Sequence, residues 1–313
     1  MRTFATKVGR LLLVIFVVTF LTQLLGSFIP GSLDQILAPF ATDQYRAQIR
    51  DDLDLDENVF VRYGNWAGDF IQGDLGNRYQ SGGKQPVWPE VKRALPISLE
   101  IMAWSQLVAL TLAIPLGVLT AYRAGKVADK ITTSASFALL ALPAFAIALL
   151  LSYYLGARAK ILPSVGYAPW GDGAWEHIKT LIIPVISLSA GQLAVYQRLL
   201  RSDLLATLQQ DFIAVAKAKG LKPSRILWRH ALRPSSLTLL TVAGLQTGAL
   251  IGGTIVVEVI FGIPGMGSLI QYAVTTRQFA ELQSEVAVVA IVFVLVNFLV
   301  DYLYTVLDPR IRT

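Results

Sequence analysis

The stretch DFIAVAKAKGLKPSRILWRHALRP, residues 211–234, carries more positive charge than any other part of this chain and lies between two long apolar runs. Gly220 follows a short amphipathic run in which Phe212, Val215 and Ala216 share a face, and glycine is the residue best suited to the C′ position that ends a helix. Pro223 stands where a first-turn proline would begin a second helix. The pattern therefore predicts helix, turn and helix.

The second of these helices is predicted to carry a basic stripe. Lys222, Arg225, Arg229 and Arg233 follow one another at helical spacings, which places them on one face. One interpretation is an anchor to membrane lipid, since each basic residue near anionic headgroups contributes about 1 kcal/mol. That interpretation leaves the small-residue run AVAKAKG unexplained. Such a run predicts a flat surface suited to docking in a groove of another protein.

The rest of the chain is strongly apolar. Hydrophobic residues make up 54% of the 313 residues and charged residues 15%, with a mean hydropathy of +0.55. These values indicate a membrane protein. The net charge of +6 would favour nucleic acid on a soluble surface, but most of it lies in loops beside apolar runs, where it orients a protein in a bilayer. We expect no nucleic-acid partner.

Several kinds of chemistry lack the residues they need. The chain has no cysteine and only two histidines, His177 and His230, so thiolate sites and clustered metal ligands are not expected. No phosphate-binding GxxxxGK[ST] loop occurs, because Gly125 and Lys126 are followed by Val127. We therefore predict no catalytic residue, no metal site and no cofactor bound by this chain, and no ATP hydrolysis by the chain alone.

Six apolar stretches reach the length of about 20 residues that spans a bilayer as a helix. Their approximate bounds are 10–30, 98–122, 132–157, 180–200, 236–259 and 285–307. The first is predicted to be an uncleaved membrane helix, since it is long for a signal peptide and lacks a clear cleavage site. Pro115, Pro143 and Pro184 fall inside spans and predict kinked helices that face protein.

Lysine and arginine are in excess in the segments 1–10, 123–131, about 198–234 and beyond 307. The positive-inside rule makes these segments cytoplasmic, so both termini lie inside. The predicted fold is an all-α, polytopic membrane protein with six spans and a cytoplasmic hairpin between the fourth and fifth.

The predicted organisation has three parts. Residues 1–30 form the N-terminal tail and first helix, 31–97 an extracytoplasmic segment, and 98–313 a five-helix core that includes a loop at about 201–234. The acidic run DDLDLDE, residues 51–57, lacks the glycine and terminal glutamate of an EF-hand loop. It and the Gly-rich stretch after it predict short helices and turns in a solvated region, with a calcium site as the alternative.

Two sets of residues inside the spans are candidates for packing or for the translocation path. Gly244, Gly248 and Gly252 recur every four residues and form a small-residue stripe. The stripe suits either packing within the chain or a seam with a partner subunit. Polar side chains within spans are path candidates, with hydrogen bonding between helices as the alternative. They are Gln106, Gln192, Gln246 and Asn297.

The pattern xxAKAKGL…RHALRP, with Ala216, Gly220 and Pro234, resembles the EAA loop of binding-protein-dependent ABC importer permeases. Ala214 and Val215 stand in place of the family's Glu and first Ala, as in the dipeptide/oligopeptide/nickel branch. GDLGNRY at 73–79 resembles that branch's GDLG-x-S-Y signature, with Arg78 replacing the usual Ser. IFGIPGMGSLIQYAV at 260–274 and the tail LDPRIR at 307–312 are typical of its B-type member.

The resemblance implies a transport subunit that couples ATP hydrolysis to alternating access, for import of di- or oligopeptides. The implied partners are a second homologous permease, two ATP-binding subunits that use ATP and Mg, an extracytoplasmic solute-binding protein, and membrane lipid. The implied location is the plasma membrane of a bacterium or archaeon, as a multi-pass protein. The chain itself would be no enzyme.

The resemblance also implies roles for two sets of residues. Coupling to the ATPase would involve Asp211, Phe212, Val215, Ala216, Lys217, Ala218, Lys219, Gly220 and Leu221. Receptor docking and the outer gate would involve Gly73, Asp74, Leu75, Gly76, Phe261, Gly262, Pro264, Gly265 and Gly267.

A different class of function, an ion-coupled secondary transporter acting alone, stays open. Such carriers place charged residues at mid-bilayer beside broken helices. Glu100, Glu258, Glu285 and Asp301 fall at or near the ends of the predicted spans, which disfavours ion coupling. A membrane scaffold without transport would not explain the proline-bent spans.

Overall fold

The structure, a computed structural model, describes residues 2–28, 33–80 and 83–307 and is mostly helical. In chain order the elements are α1 (Arg2–Ser27), α2 (Leu33–Leu37), α3 (Asp43–Asp52), α4 (Val59–Ile71), β1 (Asn77–Gln80), β2 (Gly83–Pro86), α5 (Trp88–Tyr122), α6 (Val127–Ala141), α7 (Ala144–Leu151), α8 (Ala174–Thr207), α9 (Asp211–Ala218), α10 (Pro223–Arg225), α11 (Leu232–Phe261), α12 (Met266–Thr275) and α13 (Phe279–Leu307). Ser152–Arg158 and Ile226–Ala231 are π-helical, and Trp170–Asp172 is a 3₁₀ turn.

The chain divides into two compact units. One comprises Met1–Ser98 and Pro264–Val294, and the other Leu99–Ile263 and Leu295–Thr313. The boundaries fall within α5 and α13, so each of these helices contributes residues to both units.

The first unit contains the short elements predicted for 31–97. Asn58 caps α4, since its Oδ1 accepts hydrogen bonds from the backbone N–H groups of Phe60 and Val61, both at 3.0 Å. The end of α2, together with α3 and β1, builds a small core of Leu37, Ala38, Ile49 and Tyr79. The prediction of short helices and turns is confirmed around the acidic run, whereas the Gly-rich stretch after it contains two strands.

The prediction of an all-α fold is wrong in one detail, because β1 and β2 pair as an antiparallel hairpin. The register joins Asn77 to Pro86 and Gln80 to Gly83. The sequence signal for it is Ser-Gly-Gly at 81–83 between two polar segments, since glycine and serine are common in hairpin turns. The strands lack the apolar alternation by which strands are usually recognised, because only Tyr79 of β1 is buried.

Three helices are long and apolar enough to cross a membrane, namely Trp88–Tyr122, Ala174–Thr207 and, within α13, Phe279–Leu299. Two bent pairs, Val127–Ala141 with Ala144–Arg158 and Pro223–Gly248 with Leu250–Phe261, raise the number to five if each pair is one span. In α1 the shorter helix Leu12–Ser27 is also apolar. The described part of the chain thus has three to five candidate spans, against six predicted.

Two of the three span prolines have visible consequences. Pro143 lies between α6 and α7, and the pair bends by 101° there. Pro184 lies inside α8 and is buried, as expected for a proline whose helix packs against protein.

The core of the second unit joins α5, α8 and α11 around small side chains. A residue larger than glycine at Gly117 of α5 would place its Cβ 3.0–3.1 Å from the side chain of Leu200 of α8. Ala109 and Ala113 are fully buried in the same cluster as Tyr196 and Leu200. Close approach of these helices is what gives the 211–231 segment a rigid base.

Candidate functional site

The predicted hairpin has the local geometry that its glycine and proline indicate. Helix α9 ends at Ala218 with Lys219 as its C-cap, and Gly220 has φ +72°. Pro223 occupies the first turn of α10. The segment is therefore helix, turn and helix, and Gly220 takes the left-handed conformation at C′ that glycine adopts without strain.

One face of helix α9 packs against the core of the same chain. Ile213 is fully buried and Ala216 is 6% exposed. Both belong to the cluster that contains Leu200 and Leu204 of α8 and Ala121 of α5. The prediction that Ala216 lies on an open docking surface is therefore wrong, because this small residue lets α9 approach the core of its own chain.

The opposite face of α9 is exposed and partly apolar. Phe212 is 47% and Val215 52% exposed, and Asp211, Lys217, Ala218, Lys219 and Gly220 are also exposed, while Leu221 is half-buried. Trp228 in the π-helical turn that follows is 51% exposed. The surface open to a partner is thus lined by Phe212 and Val215 rather than by Ala216.

The second arm of the hairpin departs from a regular α-helix. After Arg225 the chain forms a π-helical turn over Ile226–Ala231, which packs Ile226, Leu227 and Ala231 into the core. The residues of the predicted basic stripe are all exposed, namely Lys222, Arg225, Arg229 and Arg233. In the sequence these residues are spaced by three, four and four positions, which would align them on one face of an α-helix. A π turn inserts one residue relative to an α-helix, so this alignment is not retained.

Polar contacts brace the helices at the base of the hairpin. Arg201 of α8 donates from Nε and Nη2 to both carboxylate oxygens of Asp129 in α6, at 2.6 and 2.7 Å. Asp129 also accepts from the backbone N–H of Gly125 at 2.8 Å. Thr207 and Ser235 share a hydrogen bond of 2.9 Å between α8 and α11. The hairpin therefore starts and ends on helices that are tied to each other.

The family model for the inner membrane component of binding-protein-dependent transport systems matches residues 113–313, which include the hairpin and the helices that hold it. The chain belongs to this family. Members are permease subunits of ABC importers and not enzymes, and ATPase activity lies in partner subunits.

Relatives and solved structures agree with this assignment. The permease is 32% identical to the dipeptide transport system permease DppB of Alkalihalophilus pseudofirmus over 98% of this chain and 99% of the relative. It is 33% identical to the oligopeptide transport system permease AppB of Bacillus subtilis, over 94% of each chain. The MetNI methionine ABC transporter, in inward-facing conformations, shares the fold with a TM-score of 0.55 at 15% identity, over 70% of this chain and 96% of that chain.

The polar path candidates of the permease are joined in a network inside the second unit. Gln106 Nε2 lies 3.0 Å from Tyr196 Oη and donates to the carbonyl of Ala243 at 3.3 Å. Tyr196 Oη donates to Gln192 Oε1 at 2.6 Å. These bonds link α5, α8 and α11. Gln106 and Gln192 therefore make hydrogen bonds within the helix bundle, which is the alternative to a role in the translocation path. Gln246 is half-buried.

The glycine stripe of α11 is only partly used within the chain. Gly244 is buried, Gly248 is half-buried and Gly252 is exposed. A Cβ at Gly252 would have no atom within 4 Å, whereas one at Gly253 would lie 3.1 Å from Leu188 of α8. The close approach of α8 therefore uses Gly253, outside the predicted stripe.

The residues predicted for receptor docking divide by burial. In the first unit Gly73 and Asp74 are exposed at a turn, and Leu75 is buried in a core with Val91 and Met266. Gly76 is half-buried, Pro264 is exposed, and Gly265 and Gly267 are buried. In the second unit Phe261 is buried, while Gly262 is exposed with φ +63° and ends α11. The buried members cannot contact a receptor in this conformation.

Sequence reasoning missed the residues that fix the hairpin to its base. Ile213, Ile226 and Leu227 lie on the apolar side of an amphipathic pattern, but the run of small residues beside them is the stronger sequence signal. The Asp129–Arg201 pair had no sequence signal, because the two residues are 72 positions apart. Among the described residues, no group of three or more His, Cys, Asp or Glu side chains could hold a metal ion.

Proposed function

We propose that this chain is a membrane-embedded subunit of an ATP-driven importer of di- or oligopeptides, and that its 211–234 hairpin receives motion from an ATPase subunit. The observation that carries the proposal is that α9 is buried on one face and exposed on the other. Ile213 and Ala216 are packed in the core, while Phe212 and Val215 on the other side are exposed. One face is thus fixed to the chain and the other is open to a partner.

The packing of the hairpin supports direct transmission of a push. Its buried residues share one cluster with α5, α8 and α11, and packed interfaces of this kind move as rigid bodies rather than deform gradually. A displacement applied at Phe212 would therefore shift the ends of three helices together. A loose loop of the same sequence would absorb the motion.

The proposed assembly follows from the family and the names of its relatives. It contains a second homologous permease, two ATP-binding subunits that use ATP and Mg, and an extracytoplasmic solute-binding protein. Peptides are the proposed solute because the DppB and AppB relatives are named as dipeptide and oligopeptide permeases. Since those relatives are bacterial, the proposed location is a bacterial plasma membrane, with six spans, both ends inside, and lipid contacts at the basic hairpin.

Uptake by the assembled complex tests this proposal. The complex is reconstituted into vesicles with its solute-binding protein, and radiolabelled dialanine and trialanine are supplied on the receptor side. We expect accumulation that requires ATP on the ATPase side and that persists after an ionophore collapses proton and sodium gradients. ATP-independent accumulation that stops with the ionophore would overturn it.

The docking role of α9 has its own test. Phe212→Asp places a charge in the proposed contact with the ATPase, and desolvating an unpaired charge costs several kcal/mol. Each 1.4 kcal/mol is a factor of ten in affinity, so retention of the ATPase on purification should fall at least ~100-fold. Tyr122→Asp is the matched control, since Tyr122 is also an exposed aromatic at a helix end outside the hairpin. Equal retention in both variants would contradict the role of α9.

Membership of the importer family opposes an ion-coupled carrier, although α13 buries two carboxylates in its first two turns. Glu281 and Glu285 are both fully buried, and neither carboxylate oxygen of Glu285 has a hydrogen-bond partner among the described residues. Such groups are used for proton relay in carriers. If Glu285→Gln abolished gradient-driven uptake while removal of ATP had no effect, the carrier would replace the importer.

A further inference from the structure

A cavity of about 170 Å³ lies in the first unit, lined by the end of α1, by α2, by the α3–α4 connection and α4, by the β hairpin and by the start of α13. Its walls are mostly polar and include Asp54, Arg62, Asn65 and Gln283. An engineered cavity of about 150 Å³ holds benzene. The site is thus large enough for a ligand of about six non-hydrogen atoms.

Two hydrogen-bond donors in the wall are buried without an acceptor. Gln283 is 1% exposed, and its Nε2 has no hydrogen-bond partner among the described residues. The same holds for Nε of Arg62. A buried donor left unpaired costs about 1–3 kcal/mol. These donors would be satisfied by an acceptor group, and an anionic one most strongly.

The positive charge of the Arg62 guanidinium is only partly balanced by a nearby carboxylate. Burial lowers the pKa of Arg62, and the nearby Asp54 opposes this effect. Asp54 Oδ2 is itself engaged by Asn65 Nδ2 at 2.7 Å. The arginine therefore retains a positive charge that can attract a carboxylate.

Carboxylates also line the cavity and bring negative charge to its wall. Asp54, Asp69 and Asp74 line it together with Asp52. Asp52 is neutralised by Lys84 at 2.7 Å, and Asp74 accepts one hydrogen bond from the backbone N–H of Gly76 at 2.8 Å. Asp69 is exposed at the rim. Oxygen atoms thus remain for a cationic group.

We propose that this cavity binds a small zwitterion of the α-amino acid type. Its carboxylate accepts from Gln283 Nε2 and Arg62 Nε, and its ammonium group faces Asp69 and the neighbouring aspartates. Alanine has six non-hydrogen atoms and fits the volume. The ligand is a free amino acid, because the end residue of a peptide carries only one of these two charged groups. The inference does not depend on the proposed transport function, because binding requires neither ATP nor a partner subunit.

Calorimetric titration of the full chain in nanodiscs tests the site with four probes: L-alanine, L-alanine amide, N-acetyl-L-alanine and dialanine. The amide removes the carboxylate and the acetyl group removes the ammonium, so each should bind at least ~10-fold more weakly than the parent. Dialanine, which is larger and carries its two charges on different residues, should also bind at least ~10-fold more weakly than alanine. No saturable binding of alanine, or equal binding of dialanine or of the blocked analogues, overturns the proposal.

Variants locate the binding. Gln283→Leu removes the buried donor and should weaken binding of L-alanine at least ~10-fold. Gln72→Leu is the control, because Gln72 is exposed and does not line the cavity. It should leave binding of L-alanine unchanged. If Gln283→Leu fails to fold, Asp69→Asn gives the same decision. It should reduce affinity for alanine and for alanine amide, which both carry the ammonium group, and leave affinity for N-acetyl-L-alanine unchanged. Unchanged alanine affinity in a folded Gln283→Leu or Asp69→Asn variant would exclude this cavity.

Discussion

Val215 and Ala216 are neighbours in α9 with opposite surroundings. Val215 is 52% exposed and Ala216 6% exposed, because successive positions on a short helix turn by about 100°. A charge at Val215 would meet solvent or the partner, but a charge at Ala216 would enter the core beside Leu200 and Leu204. The two positions therefore separate docking from folding.

The prediction is that Ala216→Asp lowers the unfolding temperature of the purified chain, while Val215→Asp leaves it within about a degree. Burying an unpaired carboxylate costs several kcal/mol, whereas a surface substitution changes stability by about 0.5 kcal/mol or less. Thermal unfolding in detergent measures both. Equal unfolding temperatures for the two variants would show that α9 does not pack as described.

Gly220 is limited by backbone conformation alone. Its φ is +72°, and a Cβ placed there would have no atom within 4 Å. Gly220→Val should therefore cost about 1–2 kcal/mol from left-handed strain. Gly220→Asn, which tolerates this conformation, should cost less. Faster amide hydrogen exchange over α9 in the valine variant than in the asparagine variant is the expected reading, and the reverse order would contradict it.

At the scale of elements, the β hairpin is tied to the start of α13 by a buried ion pair. Arg78 of β1 donates from Nε to Glu281 at 2.9 and 3.0 Å, and its guanidinium lies over the ring of Tyr272 at 4.4 Å from the centroid. Gln278 contributes a second tie, since its Oε1 accepts from the backbone N–H of Tyr79 at 3.1 Å. Arg78 thus has a buried partner in this chain.

Arg78→Ser should destabilise the first unit by about 3–5 kcal/mol, because it leaves Glu281 buried and unpaired. The double variant Arg78→Ser with Glu281→Gln should recover much of this loss, since the amide carries no charge. Chemical unfolding of the four chains in a double-mutant cycle measures the coupling. Additive effects of the two changes would show that the pair does not interact.

For the whole molecule, the chain's lack of cysteine allows its orientation to be read directly. Cysteines introduced at Glu57 and at Lys222, both exposed, should react with an impermeant maleimide from opposite sides of the membrane, Glu57→Cys from outside and Lys222→Cys only after permeabilisation. The reason is the excess of lysine and arginine in the segments assigned to the cytoplasm. Labelling of both from outside would refute the proposed topology.

The sequence by itself determined what depends on composition and on neighbouring residues. The apolar runs identify a membrane protein, and Gly220 and Pro223 predict the turn and the new helix because their backbone preferences act locally. The EAA-like pattern led to the family through residues that lie close together in the chain. None of these features needs a distant partner to be recognised.

Only the tertiary structure decided which side of each element is buried and which distant residues meet. In α9 the choice between Ala216 and Phe212 as the open face depends on the positions of α5 and α8, which no local pattern contains. The Arg78–Glu281 and Arg201–Asp129 pairs join residues 203 and 72 positions apart, and the cavity beside Gln283 is lined by seven separate stretches of the chain. Side-chain burial is a property of the packed neighbours, so it appears only when the chain is folded.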